Sequence, residues 1–459
     1  MGVERTVTKF NPLYTYSGRS KNVQRLAVDM NKWRSIDYER RLKRELDILS
    51  KSSISNKNKK LILKYKNHRL AKGISIARVH RELQSLRLLC EKWKKCPLKG
   101  EVILSDKCEI CDKKDCCDAE FWLELDEINR DVLDELLANL ELSGTKLSTI
   151  NEYKKALRYF LQFVGKEDLA ARIKRKEPMD NELTRDDLLS VDEVMKLVKV
   201  AMNDRDPALI MCHLDLSCRP EELLTLTVGD FVRDAWGIRV EMRRSKTFRR
   251  SPHLSFSLPY VSRWLSVHPL KDDPNAPAWI DLNKFQRGIV APIDNAAYNR
   301  ILDRLFKRAG IKKRKRFSPY KFRHTGMTMW GVLLTELQLA KRSGHIPGSK
   351  HLKRYAKLID ADADRKILRE LGLISEKDAE PEVKKLQPVK CAICGEFNEP
   401  FRQRCWKCKA ALDPARLVQE FGEEEIIEAV LDDSLEKLIE DKIKRMLEQV
   451  LREKGKIKS

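Results

Sequence analysis

Four short segments of this sequence concentrate residue types that handle phosphate esters. They are Cys218-Arg219-Pro220-Glu221-Glu222-Leu223, Ser245-Lys246-Thr247, Tyr320-Lys321-Phe322-Arg323-His324-Thr325, and Gly344-His345 followed by Tyr355. Arginine guanidinium groups can clamp the non-bridging oxygens of a phosphate through paired hydrogen bonds. A lysine can donate a proton to a departing oxygen, and a histidine can bind phosphate or assist proton transfer. A tyrosine can attack phosphorus and keep the bond energy as a phosphoester. Each residue taken alone also has an ordinary reading. Arg219 reads as a surface helix arginine, Lys246 as one charge in a basic turn, His345 as a helix-end cap, and Tyr355 as an amphipathic tyrosine near Arg354 and Lys357. Order and spacing carry more than any single member: Arg323 to His345 is 22 residues, and His345 to Tyr355 is 10.

The 12 cysteines hold a second chemistry. Cys391 and Cys394, then ten residues, then Cys405 and Cys408, have zinc-ribbon spacing. Four thiolates leave no open coordination position, so the zinc expected here is structural. Gly395 lets the first knuckle turn tightly. A less regular cluster offers Cys96, Cys108, Cys111 and Cys116, with Cys117 as an alternative to the last; a second zinc and free thiols are both open there. Cys212 and Cys218 sit in an apolar stretch and read as core residues.

Together the four segments resemble the tyrosine recombinase/integrase family. Gly344-His345-Ile346-Pro347-Gly348-Ser349-Lys350, then Tyr355, looks most like its archaeal integrases, some of which carry an appended zinc ribbon. The resemblance covers about residues 55–375. It implies that Arg219 and Arg323 clamp the scissile phosphate, that Lys246 protonates the leaving 5′ oxygen, that His345 bonds the phosphate or assists proton transfer, and that Tyr355 is the nucleophile. No metal enters that chemistry. One position departs from the family pattern, which usually has His three residues before the second Arg; here it is Tyr320. A phenol with an ordinary pKa near ~10 is a poor base at neutrality but can donate to phosphate, which leaves the general base open. Lys321 should point elsewhere on its helix, and His324 is expected to support the core.

These residues need elements to position them. Residues 55–95 predict two helices, the first capped by Ser55 or Asn56 and the second striped with Ile76, Val79, Leu83, Leu86, Leu89, Cys90 and Trp93. Thr149 and Glu152 predict a capping box ahead of Ile150, Tyr153, Leu157, Phe160, Leu161 and Val164. Residues 165–190 read as a basic, then polar, linker. Residues 237–242 and 255–258 have strand character around Arg243-Arg244-Ser245-Lys246-Thr247-Phe248-Arg249-Arg250, which predicts a hairpin with a basic turn. A last helix is expected over 415–451, with Leu431, Leu435, Leu438, Ile439, Ile443, Met446, Leu447 and Val450 on one side.

The fold class expected is multidomain and mainly α. It comprises an N-terminal helical segment (1–54), a helical core-binding domain (55–180) with a cysteine insertion at 96–120, and an α+β catalytic domain with a small β-hairpin or sheet (185–375). A zinc ribbon (388–412) and a C-terminal helix (413–459) follow. Among 459 residues, 92 Lys and Arg against 69 Asp and Glu give a formal charge of +23, which favours a polyanionic partner. Residues 413–459 run against that trend, with 13 acidic and 9 basic side chains. No apolar run approaches the ~18 residues of a membrane helix, and the first residues have no apolar signal core. The expected partner is double-stranded DNA, clamped between the core-binding and catalytic domains, and the expected location is the cytoplasm, on the nucleoid. The resemblance implies a homo-tetrameric synapse, with the C-terminal helix packing on a neighbouring protomer. Two rival readings share the fold: a type IB topoisomerase-like enzyme that relaxes DNA, and a DNA-binding regulator without catalysis.

Overall fold

Capping chemistry sets the first boundaries of the fold. Asp37 and Ser55 each accept a backbone N–H, from Arg40 and Asn58, and so start α1 (Tyr38–Lys51) and α2 (Asn56–Ala71). The computed structural model describes residues 29–30, 33–95, 102–104, 123–176, 184–245, 247–312, 317–349, 352, 355, 360–375 and 381–413. The chain divides into one unit of residues 37–181 and another of residues 1–36 with 182–459.

In the 37–181 unit, α3 (Ile76–Lys92) buries Val79, Leu83, Leu86, Leu89 and Cys90, so the predicted stripe is the core face. Buried ion pairs fix its neighbours: Arg87 to Glu45 of α1 at 2.7 Å, and Arg69 of α2 to Glu82 at 2.9 Å. Strands β1 (Trp93–Lys95) and β2 (Val102–Leu104) pair antiparallel. Further along, the buried Asn58 side chain bonds the backbone of Leu123 and Leu125 at 2.8 and 3.0 Å. Helices α4 (Arg130–Leu142), α5 (Leu147–Phe163) and α6 (Glu167–Arg172) complete the unit. Two expectations shift. Helix α5 starts at Leu147 behind Lys146, without a side-chain cap, so Thr149 lies inside the first turn. Part of the stretch read as linker is α6, because Leu169, Ala170 and Ile173 find buried places in the same core.

The other unit is built on α8 (Arg205–Leu216), every residue of which is buried, Cys212 included. Around it lie α7 (Val191–Lys199), the short α9 (Pro220–Leu224), α10 (Leu258–Ser266), α11 (Leu282–Gln286), α12 (Asn295–Ala309), α13 (Pro319–Gly331) and α14 (Glu336–Ser343). Helix α15 (Asp360–Glu370) comes later in the chain. Strands β3 (Phe231–Asp234) and β4 (Gly237–Val240) form an antiparallel hairpin. The predicted partner of β4 is corrected. Residues 250–254, not 255–258, run beside it, with Met242 N–H to the Arg250 carbonyl at 2.9 Å and Leu254 N–H to the Ile238 carbonyl at 2.8 Å. Ser255 and Ser257 are taken instead by the buried Asp215 carboxylate, which accepts both backbone N–H groups and both hydroxyls at 2.7–3.1 Å. That turns the chain into α10. Strands β5 (Val389–Lys390) and β6 (Phe397–Asn398) form the last small sheet. The expected fold class, mainly helical in several parts with little strand, is the observed one. The helix expected over 415–451 lies outside the described residues.

Candidate active site

Helix α8 ends in a left-handed residue, Ser217 (φ 47°), which reverses the chain towards Arg219. The reversal is packed from behind by Gly326 of α13: a Cβ there would collide with the Leu214 carbonyl and the Ser217 hydroxyl. Arg219 is the N-cap of α9 and is followed by Pro220, whose fixed φ suits a first helical position. Its Nη1 donates to Glu222 Oε1 at 2.9 Å and to the Gly344 carbonyl at 3.4 Å.

Arg323 reaches the same turn from α13. Its Nη1 donates to the carbonyls of Ser217 (2.9 Å) and Ser343 (2.7 Å), and its Nη2 meets the His345 ring at 3.0 Å. Arg323 is 1% exposed, and its buried Nε has no hydrogen-bond partner among the described residues. Burial and then the Arg219 charge hold its guanidinium below the ordinary arginine value, with Tyr320, Glu222 and Tyr355 pulling the other way. Two cations close together around an unsatisfied buried donor make a site that favours an anion.

The turn at Gly344, left-handed at φ 70°, ends α14 and joins the pieces. Thr247 donates to the Gly344 carbonyl at 2.8 Å. Ser343 bonds His345 Nδ1 at 2.8 Å, fixing the ring against Arg323. Lys246 lies outside the described residues, but its neighbours are placed: Ser245 donates to Glu222 and accepts from Arg250. Tyr355, 3% exposed, is covered by Met327, Leu339, Ala340 and Leu352, and its hydroxyl meets His324 Nδ1 at 2.6 Å. Tyr320 is 45% exposed and sets its ring edge-on to His324, 5.2 Å between centroids. Arg219, Tyr320, Arg323, His345 and Tyr355 therefore belong to one constellation.

Sequence reasoning missed several members. His324 is half-buried and touches the Tyr355 hydroxyl at 2.6 Å, a contact that its place after Arg323 did not signal. Lys321 does point away, to Asp187 at 3.0 Å. Glu222 is the hinge of the cation cluster: burial would push its carboxyl up, but Arg250 and Arg219 hold it below its ordinary value. Arg250 is buried, bonding Glu222 at 2.8 Å and the Arg342 carbonyl at 2.9 Å. Nothing in a run of arginines singles it out. Asp215, an acid set in the apolar second half of α8, carried a readable signal.

A second site lies beyond β5. Cys391 and Cys408 Sγ are 3.6 Å apart, Cys394 and Cys405 Sγ are also 3.6 Å apart, and all four atoms lie within 4.8 Å. A tetrahedral ion with ~2.3 Å metal–sulfur bonds sets sulfurs roughly 3.8 Å apart, so the four cysteines fit zinc. The knuckles match: Gly395 and Lys409 are both left-handed and donate to the Cys391 and Cys405 carbonyls. Buried Asn398 braces them, donating to Cys405 Sγ and accepting from the Trp406 backbone. Glu399, 1% exposed, ties the ribbon to Arg263 of α10. The second cluster, Cys96, Cys108, Cys111 and Cys116, lies outside the described residues.

Residues 187–357 match the model of the phage integrase family, so this stretch is a phage integrase family domain, the tyrosine recombinase class. Among solved structures, the chain is similar to the XerH site-specific recombinase bound to difH substrate (17% identity, TM-score 0.43, covering 71% of this chain and 93% of that one). It is similar also to a lambda integrase dimer bound to a COC′ core site (12%, 0.46, 66% and 77%). A third is the Tn1549 transposon integrase with circular intermediate DNA (16%, 0.39, 55% and 88%). No curated protein matches the chain. Among the described residues, no helix is long and apolar enough to cross a membrane.

Proposed function

We propose that this protein is a site-specific DNA recombinase that cuts and rejoins strands through a 3′-phosphotyrosyl intermediate, without metal or ATP in the chemistry. The observation that carries the reading is the convergence of Arg219, Arg323 and Thr247 on the turn at 343–345 that holds His345, with Tyr355 bonded to His324, the residue next to Arg323. Tyr355 Oη attacks phosphorus. Arg219 and Arg323 neutralise the charge that grows on the non-bridging oxygens, where a water-poor setting strengthens each hydrogen bond. Lys246 gives a proton to the departing 5′ oxygen, and His345 and Tyr320 bond the phosphate. The freed 5′ hydroxyl of a second strand reverses the step without an external energy source.

The substrate is double-stranded DNA, which suits the +27 formal charge of residues 1–412. The Cys391, Cys394, Cys405 and Cys408 cluster holds one structural zinc and keeps the ribbon folded on α10. Strand exchange between two duplexes calls for four protomers, and the net-acidic segment 413–459 is the part proposed to pack on a neighbour. The working location is the cytoplasm, on the nucleoid. The reading is tested by offering a plasmid with two attachment sites beside a supercoiled plasmid with none. Site-dependent exchange of flanking DNA supports it. Site-independent relaxation without exchange would identify a topoisomerase-like enzyme instead.

A further inference from the structure

The recombinase reading leaves the Tyr355 proton without a destination, and the structure offers one. Tyr355 is nearly excluded from water, so solvent is poorly placed to take its proton. His345 is held by Ser343 and Arg323, and Lys321 by Asp187. Tyr320 presents a ring edge to His324. His324 Nδ1 lies 2.6 Å from the Tyr355 hydroxyl, and the two rings are 5.8 Å apart between centroids. In the tautomer with Nδ1 unprotonated, the Tyr355 hydroxyl donates to it. Helix geometry explains the division of labour. Arg323 and His324 are consecutive on α13, about 100° apart around its axis. The first therefore enters the phosphate clamp while the second faces Tyr355. Tyr320, one turn earlier, braces the imidazole.

We propose that His324 is the catalytic base of strand cleavage, orienting Tyr355 and accepting its proton. As the Tyr355 oxygen bonds to phosphorus, the phenolic proton moves to His324 Nδ1. The bond from phosphorus to the 5′ oxygen breaks, and that oxygen takes its proton from Lys246. In rejoining, a 5′ hydroxyl attacks phosphorus and gives its proton to Lys246, while the departing Tyr355 oxygen recovers its own from His324. This inference rests on the recombinase reading, and the test separates the two.

The test measures adduct formation on a nicked suicide DNA substrate in two backgrounds, native Tyr355 and Tyr355 replaced by 3,5-difluorotyrosine, whose hydroxyl loses its proton more readily. In the native background, His324→Phe keeps a ring but no acceptor, and should slow cleavage by about 10²-fold, the low end of general-base effects. DNA binding should stay within about threefold. With difluorotyrosine the same substitution should cost less than about tenfold, because a weaker base suffices. His324→Gln, which can hold a hydrogen bond but not take the proton, should behave as His324→Phe does and guards against a folding defect in one variant. Equal losses in both backgrounds would mean that His324 only props the pocket, and an unchanged rate would mean that it has no role; either overturns the inference. Failure of the unsubstituted protein to form any adduct would instead count against the recombinase reading.

Discussion

Tyr320 shows how much one side chain can decide. It is exposed, on the lip of the cation cluster, and it touches His324 rather than the nucleophile's hydroxyl. In the proposed mechanism, Tyr320→Phe removes one hydrogen-bond donor to phosphate and leaves the ring brace in place. Cleavage should slow by about one power of ten, two at most. Single-turnover rates on the suicide substrate measure this, and a loss as complete as that of Tyr355→Phe would give Tyr320 a larger role. At this scale the sequence was legible where type and spacing were unusual together. Arg219, Arg323, His345 and Tyr355 sit in recognisable strings, and each one described falls in the constellation. Arg250 and Ser217 were not legible. Arg250 matters because it turns inward to Glu222, which no other described side chain of its basic run bonds as a cation. Ser217 matters through a backbone angle and a carbonyl, which a side-chain alphabet does not encode.

At the scale of elements, the seat of Arg323 is the contact between α8 and α13. At Gly326 the two pack so closely that a Cβ would collide with the Leu214 carbonyl. Gly326→Ala should destabilise the unit by about 3 kcal/mol, at the upper end of overpacking effects, because the obstruction is backbone. It should also cut cleavage more than DNA binding, since the displaced Ser217 carbonyl orients the guanidinium. Urea unfolding alongside cleavage rates checks both, and a variant of unchanged stability would show that the helices separate cheaply. The zinc ribbon makes a second prediction. Its own buried cluster is four small residues, Cys391, Cys405, Ala410 and Ala411, too little apolar surface to hold a fold without metal. Cys394→Ser should remove one zinc equivalent and unfold residues 391–408 while the catalytic core stays folded. Elemental analysis with limited proteolysis reads this out, and a metal-free wild-type ribbon that resists protease would contradict it. Element boundaries were legible where caps were strong, as at Ser55. They were not where tertiary demand won, as at Ser255 and Ser257, which Asp215 takes from a strand pattern.

The whole molecule carries a pH dependence written in two buried histidines. Burial pushes His213 down to about 3, against the hydrogen bond that its ring donates to the Cys218 carbonyl, while the Arg323 charge adds to the depression. Burial likewise pushes His268 down to about 4. Both stay neutral in the folded protein at pH values where the unfolded chain, with histidines near ~6.5, already binds protons. Their contribution to stability is therefore complete above about pH 6.5 and is lost as pH falls towards the folded values, by at most about 1.4 kcal/mol per group per pH unit. Urea midpoints should drop between pH 7 and 4. His213→Asn, though less stable at pH 7, should lose less on acidification. A parallel fall in both proteins would assign the pH dependence elsewhere.

The central claim is that Tyr355 becomes covalently joined to DNA. The most direct measurement traps that species on a labelled suicide substrate and maps the modified residue by peptide mass spectrometry. The expected result is a 3′-phosphotyrosyl adduct on Tyr355, and no adduct from Tyr355→Phe, which should still bind the site with nearly unchanged affinity. An adduct that persists in Tyr355→Phe, or one mapped to a different residue, would contradict the account.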